Sequence, residues 1–399
     1  LYPESDNSRK DSAYTIFYMG ITTGIILGTT LPSQVNHLFG WSVSFASAAI
    51  GMVFAFFIFL LGIRIFKIED YKQFEYHLGK VLQATLLIVS LWGLCAVILF
   101  NPHVADLSFL TVVIISFYYL GYSAKQEESN QAKKTVVIGL LCIISVFFWA
   151  FYFQMFMSLT LFIARIVEPQ FIGINFPPPY YVAVQSIGML LFGYFLSYRK
   201  SKTVLTERCL QTNNKFLMAM ILMCFSYLLI TLIALLSRGN ALLAPLYFIP
   251  AYLLISLSEL LLSPVGLAAI TSLASRHKVS TMMGVFFVSL GIGGFLSGKL
   301  ANLTAINSEN LPISELKLAY AHSFMQLLLI LLVVTGVSGL LNRLVKKLVS
   351  ENPVQVPASL LKDQKETLIQ DFKKRMTEQG MSETEYQDYV QKWDADFAN

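Results

Sequence analysis

The chain has 399 residues, of which 55% are hydrophobic and only 13% are charged, and its mean hydropathy is +0.62. Soluble domains carry about 25% charged residues, so this composition excludes an ordinary soluble domain and indicates a polytopic membrane protein. The formal net charge of +5 is too small to indicate a nucleic-acid partner.

Ten segments are long and apolar enough to span a bilayer, which takes about 20 residues. In chain order they cover residues 12–32, 43–63, 81–100, 107–124, 135–163, 179–198, 216–237, 247–274, 281–303 and 318–342. Because lipid offers no hydrogen-bond partner to the backbone, each segment is predicted to be a helix. The chain is therefore predicted to be an all-α membrane protein.

Basic residues alternate between the two sides of these spans. One side holds Arg9, Lys10, Arg64, Lys67, Lys72, Lys80, Lys125, Lys133, Lys134, Arg199, Lys200, Lys202, Arg208, Lys215, Arg276, Lys278, Arg343, Lys346 and Lys347. The other side holds Arg165, Arg238, Lys299 and Lys317. By the positive-inside rule the first side is cytoplasmic, which predicts that both ends of this chain are cytoplasmic.

A carboxylate stands in the middle of the eighth span, in the stretch SELLLSPVG from Ser258 to Gly266. A charge at the centre of a membrane helix costs about 2.5–3.5 kcal/mol, so Glu259 is a candidate for substrate binding and reversible protonation. Pro264 is expected to interrupt the helix one turn later, and secondary transporters often build their sites at such interruptions. The alternative is a neutral carboxyl that serves packing alone.

Small residues mark the ninth span. Gly284, Gly291, Gly293, Gly294 and Gly298 predict a close helix contact rather than a phosphate-binding loop, because they lie within an apolar segment. The four cysteines lack ligand spacing and are interpreted as small core residues. Neither a metal nor a cofactor is therefore predicted.

The stretch Ser258–Gly266 resembles the tenth core helix of the proton-dependent oligopeptide transporters, a family of the major facilitator superfamily, where S/G-E-L-x-x-S-P-x-G recurs. Other resembling pieces follow in family order: residues 1–24 (fifth helix), 147–165 (seventh), VQSIG at 184–188 (eighth) and TMMGVFF at 281–287 (eleventh). The resemblance covers residues 1–347.

The resemblance implies a major facilitator fold of which this chain begins at the fifth family helix, without the first four. Residues 1–64 are then the last two helices of the first bundle, 65–133 an inserted transmembrane hairpin and 134–347 a complete six-helix second bundle. Residues 348–399 are expected to be a cytoplasmic helical tail, with a capping box at Ser382 and Glu385. That tail either binds a cytoplasmic partner or packs on the transporter or stays solvated.

The resemblance also implies site residues. Glu259 and Ser263 match the acid and nearby polar position that face the substrate, and Glu259 would also carry the proton. Tyr18 matches a fifth-helix tyrosine, while Trp149, Tyr152 and Gln154 match seventh-helix pocket positions.

Four positions depart from the family pattern. Thr22 and Gly188 replace asparagines, Phe153 replaces a frequent acid, and Phe286 replaces an eleventh-helix tryptophan. Two lost amides reduce the hydrogen bonds available to a peptide. Replacing Gly188 by Asn is expected to restore one of them.

The resemblance predicts a proton-coupled symporter that imports di- and tripeptides or peptide-like solutes by alternating access in a bacterial inner membrane, with the proton gradient as its energy source. One alternative is a carrier of the same fold for a different small solute. Another is a membrane-embedded hydrolase with Ser263 as nucleophile, although His37, His77, His103, His277 and His322 all lie near segment ends or joints. Beyond the small-molecule substrate and the lipid bilayer, no further partner is predicted for the bundle.

Overall fold

The computed structural model describes residues 7–66, 78–198, 205–237, 239–275, 277–306 and 311–350. Within these ranges the side chains of 7–19, 66, 196–198, 205–213 and 349–350 are not described. The predicted tail helix around Ser382 lies outside the described residues.

The described chain is almost entirely helical. Its helices are α1 (Asn7–Phe39), α2 (Trp41–Phe66), α3 (Leu78–Phe100), α4 (Pro102–Gln126), α5 (Ser129–Tyr152), α6 (Ser158–Ile166), α7 (Pro179–Tyr198), α8 (Leu205–Leu236), α9 (Ile249–Leu273), α10 (Val279–Ala301) and α11 (Ile313–Ser350). A short antiparallel hairpin of β1 (Gln170–Phe171) and β2 (Ile174–Asn175) joins α6 to α7, with Gly173 in the left-handed region at φ +74°.

Within the described residues, eight helical segments are long and apolar enough to cross a membrane, and α5 and α6 together make one of them. The remaining two of the ten predicted spans form α1 and α7, which are helical where predicted but are not among those eight. Apolar side chains cover the outside of α2 and α3; Phe54 is 63% exposed and Trp92 74%. Such outward apolar surface is typical of helices that face lipid.

The Glu259 helix is not discontinuous at Pro264, although proline lacks the N–H of one helix hydrogen bond. Helix α9 continues through Pro264 without a break. The chain is interrupted instead in the segment predicted as one helix over 135–163, where a 3-10 turn at Phe153–Phe156 separates α5 from α6. Met157 ends that turn with φ −113° and ψ −93°, a backbone conformation outside the helical region.

Helices α5 to α11 share one buried core. Helix α8 packs on α9 and α11, α10 packs on α5, and α7 packs on α9. Aromatic rings fill the end of the core near α6, where Phe162 meets Phe248, Tyr320 and Phe324 at centroid distances of 5.4, 5.2 and 5.1 Å. Edge-on aromatic contacts of this kind stabilise a core beyond the area that they bury.

Charged groups fasten α4 to α10 at both ends. Asp106 pairs with Lys299 over 2.7 Å at one end, and Glu127 pairs with Lys278 over 3.1 Å at the other. Thr135 also donates a hydrogen bond to Glu127. The hairpin α3–α4 is therefore attached to the bundle by an antiparallel contact between α4 and α10.

Helix α1 packs on α2 and on α7. The Ser44 hydroxyl donates to the Pro32 carbonyl over 2.7 Å, which secures α2 to α1. The Gln34 amide donates to the Tyr180 hydroxyl over 2.5 Å, which joins α1 to the start of α7.

Candidate functional site

Three helices meet at the carboxyl group of Glu259. The Tyr152 hydroxyl at the end of α5 donates to Glu259 Oε2 over 2.9 Å, and the Gln185 side-chain amide on α7 donates to the same oxygen over 2.5 Å. Glu259 is half-buried on α9. The two donors offset part of the cost of taking a carboxylate out of water.

Two serines next to Glu259 fix the orientation of α9 about its own axis. The Ser256 hydroxyl donates to the Gln185 carbonyl on α7 over 2.5 Å, and the Ser258 hydroxyl donates to the Ala219 carbonyl on α8 over 2.7 Å. Residues three apart share a helix face, so fixing Ser256 against α7 also directs Glu259 toward α7. Glu259 therefore projects into the bundle rather than toward lipid.

The helix break lies directly beside this site. Helix α5 ends at Tyr152, the residue that donates to Glu259. The Tyr227 hydroxyl of α8 donates to the Phe151 carbonyl over 2.8 Å, and Thr160 donates to the Met155 carbonyl over 2.7 Å. These side chains satisfy backbone groups that the break releases, as a membrane protein requires. The arrangement resembles the interrupted helices of secondary transporters.

The hydrogen bonds at Glu259 suit both protonation states of its carboxyl group. Both donors bind Oε2, so a proton added to the other oxygen leaves an acceptor for Tyr152 and Gln185. The carboxyl can therefore change its charge without losing these two partners.

Trp149 lies next to this site. It is almost fully buried, its ring centroid is 4.9 Å from that of Tyr152, and its indole nitrogen lacks a hydrogen-bond partner in the described part of the chain. A Cβ at Gly293 would lie 2.5 Å from Trp149 Cβ, so the predicted close contact of the glycine-rich span is present at this position. At Gly284, Gly291 and Gly298 a Cβ would have nothing within 4 Å.

Gln154 binds Ser297 and Ser158. Its amide donates to the Ser297 carbonyl over 2.7 Å and to the Ser297 hydroxyl over 3.0 Å, and its oxygen accepts from Ser158 over 2.6 Å. In this structure the amide ties the 3-10 turn to α10 instead of lining the Glu259 site.

Two further predicted site residues lie at helix contacts. A Cβ at Gly188 would lie 2.6 Å from Ser256 Oγ and 2.7 Å from Leu253 Cδ2, so an asparagine there would collide with α9. Ser256 or Leu253 would have to shift before an asparagine at position 188 could offer its amide to the site, and the restoration of a pocket amide there stays a prediction. Phe286 is buried, and its ring fills the space beside Gly266, where a Cβ would lie 2.5 Å from Phe286 Cζ.

The other predicted site residues lie on α1, on α9 and in the 3-10 turn that follows α5. Thr22 is buried on α1, and Tyr18 belongs to the part of α1 whose side chains are not described. Ser263 is half-buried, one turn beyond Glu259. The ring of Phe153, in the 3-10 turn, lies 3.5 Å from a Cβ built at Gly294.

Gln185 is the site residue that reasoning from the sequence missed. It lies in the VQSIG stretch at 184–188, where the resemblance to the eighth family helix points to Gly188 and not to Gln185. A buried amide in an apolar span was a signal, since such a group needs a polar partner.

A nearly all-helical multi-pass bundle with a half-buried acid beside a broken helix is typical of secondary transporters. Residues 1–316 match the PTR2 domain of the POT family, and the chain belongs to that family. The resemblance found in Ser258–Gly266 is thereby confirmed. Residues 338–399 also match the C-terminus of bacterial trigger factor.

Relatives of the chain are bacterial permeases. It is 27% identical to dipeptide and tripeptide permease A of Klebsiella pneumoniae (strain 342) over 81% of this chain and 64% of the permease. It is 25% identical to dipeptide and tripeptide permease B of Edwardsiella piscicida over 76% of this chain and 62% of that protein. The chain thus spans less than two thirds of the length of these two curated relatives.

Solved structures of peptide transporters share the fold. Tetrameric PepTSo2 matches with a TM-score of 0.68 at 22% identity, over 86% of this chain and 73% of that one. A second structure comes from work on substrate recognition in proton dependent oligopeptide transporters. It matches with a TM-score of 0.65 at 23% identity, over 86% of this chain and 72% of that one. The predicted major facilitator fold is confirmed.

Proposed function

We propose that this protein is a proton-coupled symporter that imports di- and tripeptides or peptide-like solutes. The observation that carries the proposal is the Glu259 carboxyl, half-buried beside a broken helix and bound by Tyr152 and Gln185 in a way that suits both protonation states. The names of the permease relatives support the same substrate class.

In the proposed mechanism, Glu259 alternates between a proton and the amino group of a peptide. An ionised carboxylate attracts the substrate ammonium, and protonation removes that attraction, which shifts the population between outward-facing and inward-facing states. We place the protein in a bacterial inner membrane with the β1–β2 hairpin on the outer side, because the basic joints are on the opposite side.

A carrier fits the described residues better than a hydrolase does. Nucleophilic catalysis by Ser263 needs a base within about 2.6–3.2 Å. Among the described histidines, His37 lies in the last turn of α1 and His277 lies between α9 and α10. Counterflow of an intact labelled dipeptide supports the carrier, whereas its hydrolysis by purified protein supports the enzyme.

The proposal is tested by Glu259→Gln in proteoliposomes with an inward proton gradient. Gln keeps the shape and one acceptor oxygen but cannot ionise, so accumulation of dialanine should be abolished. Loss of a charge-assisted hydrogen bond of about 1.5–3 kcal/mol should weaken dipeptide binding by about one to two decades.

Glu315→Gln is the matched control, since Glu315 is an exposed carboxylate in the first turn of α11. It should accumulate dialanine as the wild type does. Normal accumulation by Glu259→Gln would contradict the proposal. Accumulation of another solute but not of dipeptides by the wild type would favour the carrier for a different small molecule.

A further inference from the structure

Helix α4 is attached to the bundle at its two ends and leaves a groove between them. The stacked rings of Phe109 and Phe295, with centroids 4.1 Å apart, stand at one end. Lys278, which donates to the Ser123 hydroxyl over 2.8 Å, stands at the other. The groove between these contacts has a volume of about 320 Å³ and is lined by α4, α5 and α10. Packed helices leave few gaps of this size, so its contents need an explanation.

The wall of this groove is apolar. Apart from Ser116 and Ser289, the residues that line it are hydrophobic side chains and Gly139. The Ser116 hydroxyl donates to the Val112 carbonyl over 2.7 Å, and the Ser289 hydroxyl donates to the Phe286 carbonyl over 2.6 Å. A water molecule needs about two to four polar partners, so the groove suits hydrocarbon better than water.

The length of the groove matches one lipid chain. It is lined by residues between 109 and 120 on α4, between 139 and 147 on α5 and between 285 and 296 on α10. At 1.5 Å per residue these stretches are about 12–17 Å long, which is about half of a hydrocarbon core of about 30 Å. Two of the lining residues, Leu110 and Phe117, are 52% and 55% exposed. The groove therefore opens on the apolar outer surface of the spans, which faces lipid.

We propose that this groove binds one acyl chain of a membrane phospholipid. The chain fills the gap between α4, α5 and α10 and completes the packing of the α3–α4 hairpin on the bundle. Lipid tails are as apolar as the wall, so binding gains van der Waals contacts in a gap rather than burial from water. The inference does not depend on the proposed transport of peptides.

The test uses a phosphatidylcholine that carries a photoreactive diazirine midway along one acyl chain. The protein is reconstituted with this lipid, extracted in detergent, washed to remove loosely held lipid and then illuminated, and adducts are located by mass spectrometry of its peptides. Adducts on the three groove stretches should exceed those on residues 49–57 of α2 at least tenfold. That part of α2 is the internal reference, because it carries an apolar surface groove of about 310 Å³ lined by one helix alone.

Val113→Phe places a larger side chain in the groove and should lower the groove adducts at least fivefold. Ile114→Phe is the matched control, since Ile114 is the next residue on α4, is 58% exposed and does not line the groove. Its adducts should stay within twofold of wild type.

Two results would overturn the inference. One is an equal yield of adducts on the groove and on residues 49–57 in the wild type, a comparison that stands even if Val113→Phe does not fold. The other is an undiminished yield on the groove in folded Val113→Phe. A wild type that lacks groove adducts and has the size of a dimer in detergent would assign the groove to a second copy of the chain, and so would also overturn it.

Discussion

Gln185 donates its side-chain amide to Glu259 over 2.5 Å and thereby joins α7 to the carboxyl group of α9. The same oxygen accepts a hydrogen bond from Tyr152, so α5 and α7 both donate to one carboxyl oxygen of α9. A change of charge at Glu259 therefore alters a contact of both neighbouring helices at once.

The shared acceptor predicts that Tyr152 and Gln185 are energetically coupled. Tyr152→Phe and Gln185→Met each remove one donor to a charged acceptor, which should destabilise the protein by about 1.5–3 kcal/mol. Thermal-shift measurements on the two single variants and the double variant should give a non-additivity of about 0.5–3 kcal/mol. In a Glu259→Gln background the effects should shrink to about 0.5–1.5 kcal/mol each, because the acceptor is neutral. Strict additivity with undiminished effects in that background would contradict the geometry.

Gly188 is predicted to be required for the contact between α7 and α9. In Gly188→Ala the new Cβ would lie 2.6 Å from Ser256 Oγ, an overpacking that should destabilise the protein by about 1–3 kcal/mol. Adding Ser256→Ala removes that oxygen and should restore part of the loss in a thermal-shift assay. Gly284→Ala is the control, because nothing lies within 4 Å of a Cβ at that helical position, and it should leave stability unchanged or higher. Equal stability of Gly188→Ala and Gly284→Ala would refute the close packing.

An experiment on Gln154 can distinguish a role in substrate binding from a role in helix packing. Gln154→Met removes an amide that holds Ser297 and Ser158, and it should lower the free energy of unfolding by about 1–3 kcal/mol for each buried group left without a partner. Dipeptide affinity of the folded fraction, measured by calorimetry, should stay within twofold. A large loss of affinity with unchanged thermal stability would instead support the pocket position that the family resemblance implies.

Membrane orientation is predicted from the basic joints and can be measured by cysteine labelling. Ile172, 84% exposed in the β1–β2 hairpin, and Lys125, exposed near the end of α4, should lie on opposite sides of the membrane. After replacement of the native cysteines, a cysteine at position 172 should react with an impermeant thiol reagent added to intact cells, and one at 125 should react only after permeabilisation. The reverse pattern would invert the orientation.

The properties predicted correctly from the sequence are those that a single segment carries by itself. Apolar runs of about 20 residues must become helices in lipid, so the spans were predictable one at a time. A lone carboxylate at the centre of a span costs enough to make Glu259 a candidate without knowledge of its neighbours, and its role in binding and proton coupling stays a prediction. The motif Ser258–Gly266 then led to the family.

The tertiary structure decided which groups meet. The donors to Glu259 lie 107 and 74 positions away along the chain, and no periodicity within one span reveals how its neighbours are rotated. The position of the helix break was decided in the same way, because Tyr227 of α8 binds the end of α5 and Gln154 in the 3-10 turn binds Ser297 of α10. Gly188 belongs to a helix contact for the same reason: whether a glycine faces a pocket or a neighbouring helix depends on packing between segments, which local sequence does not encode.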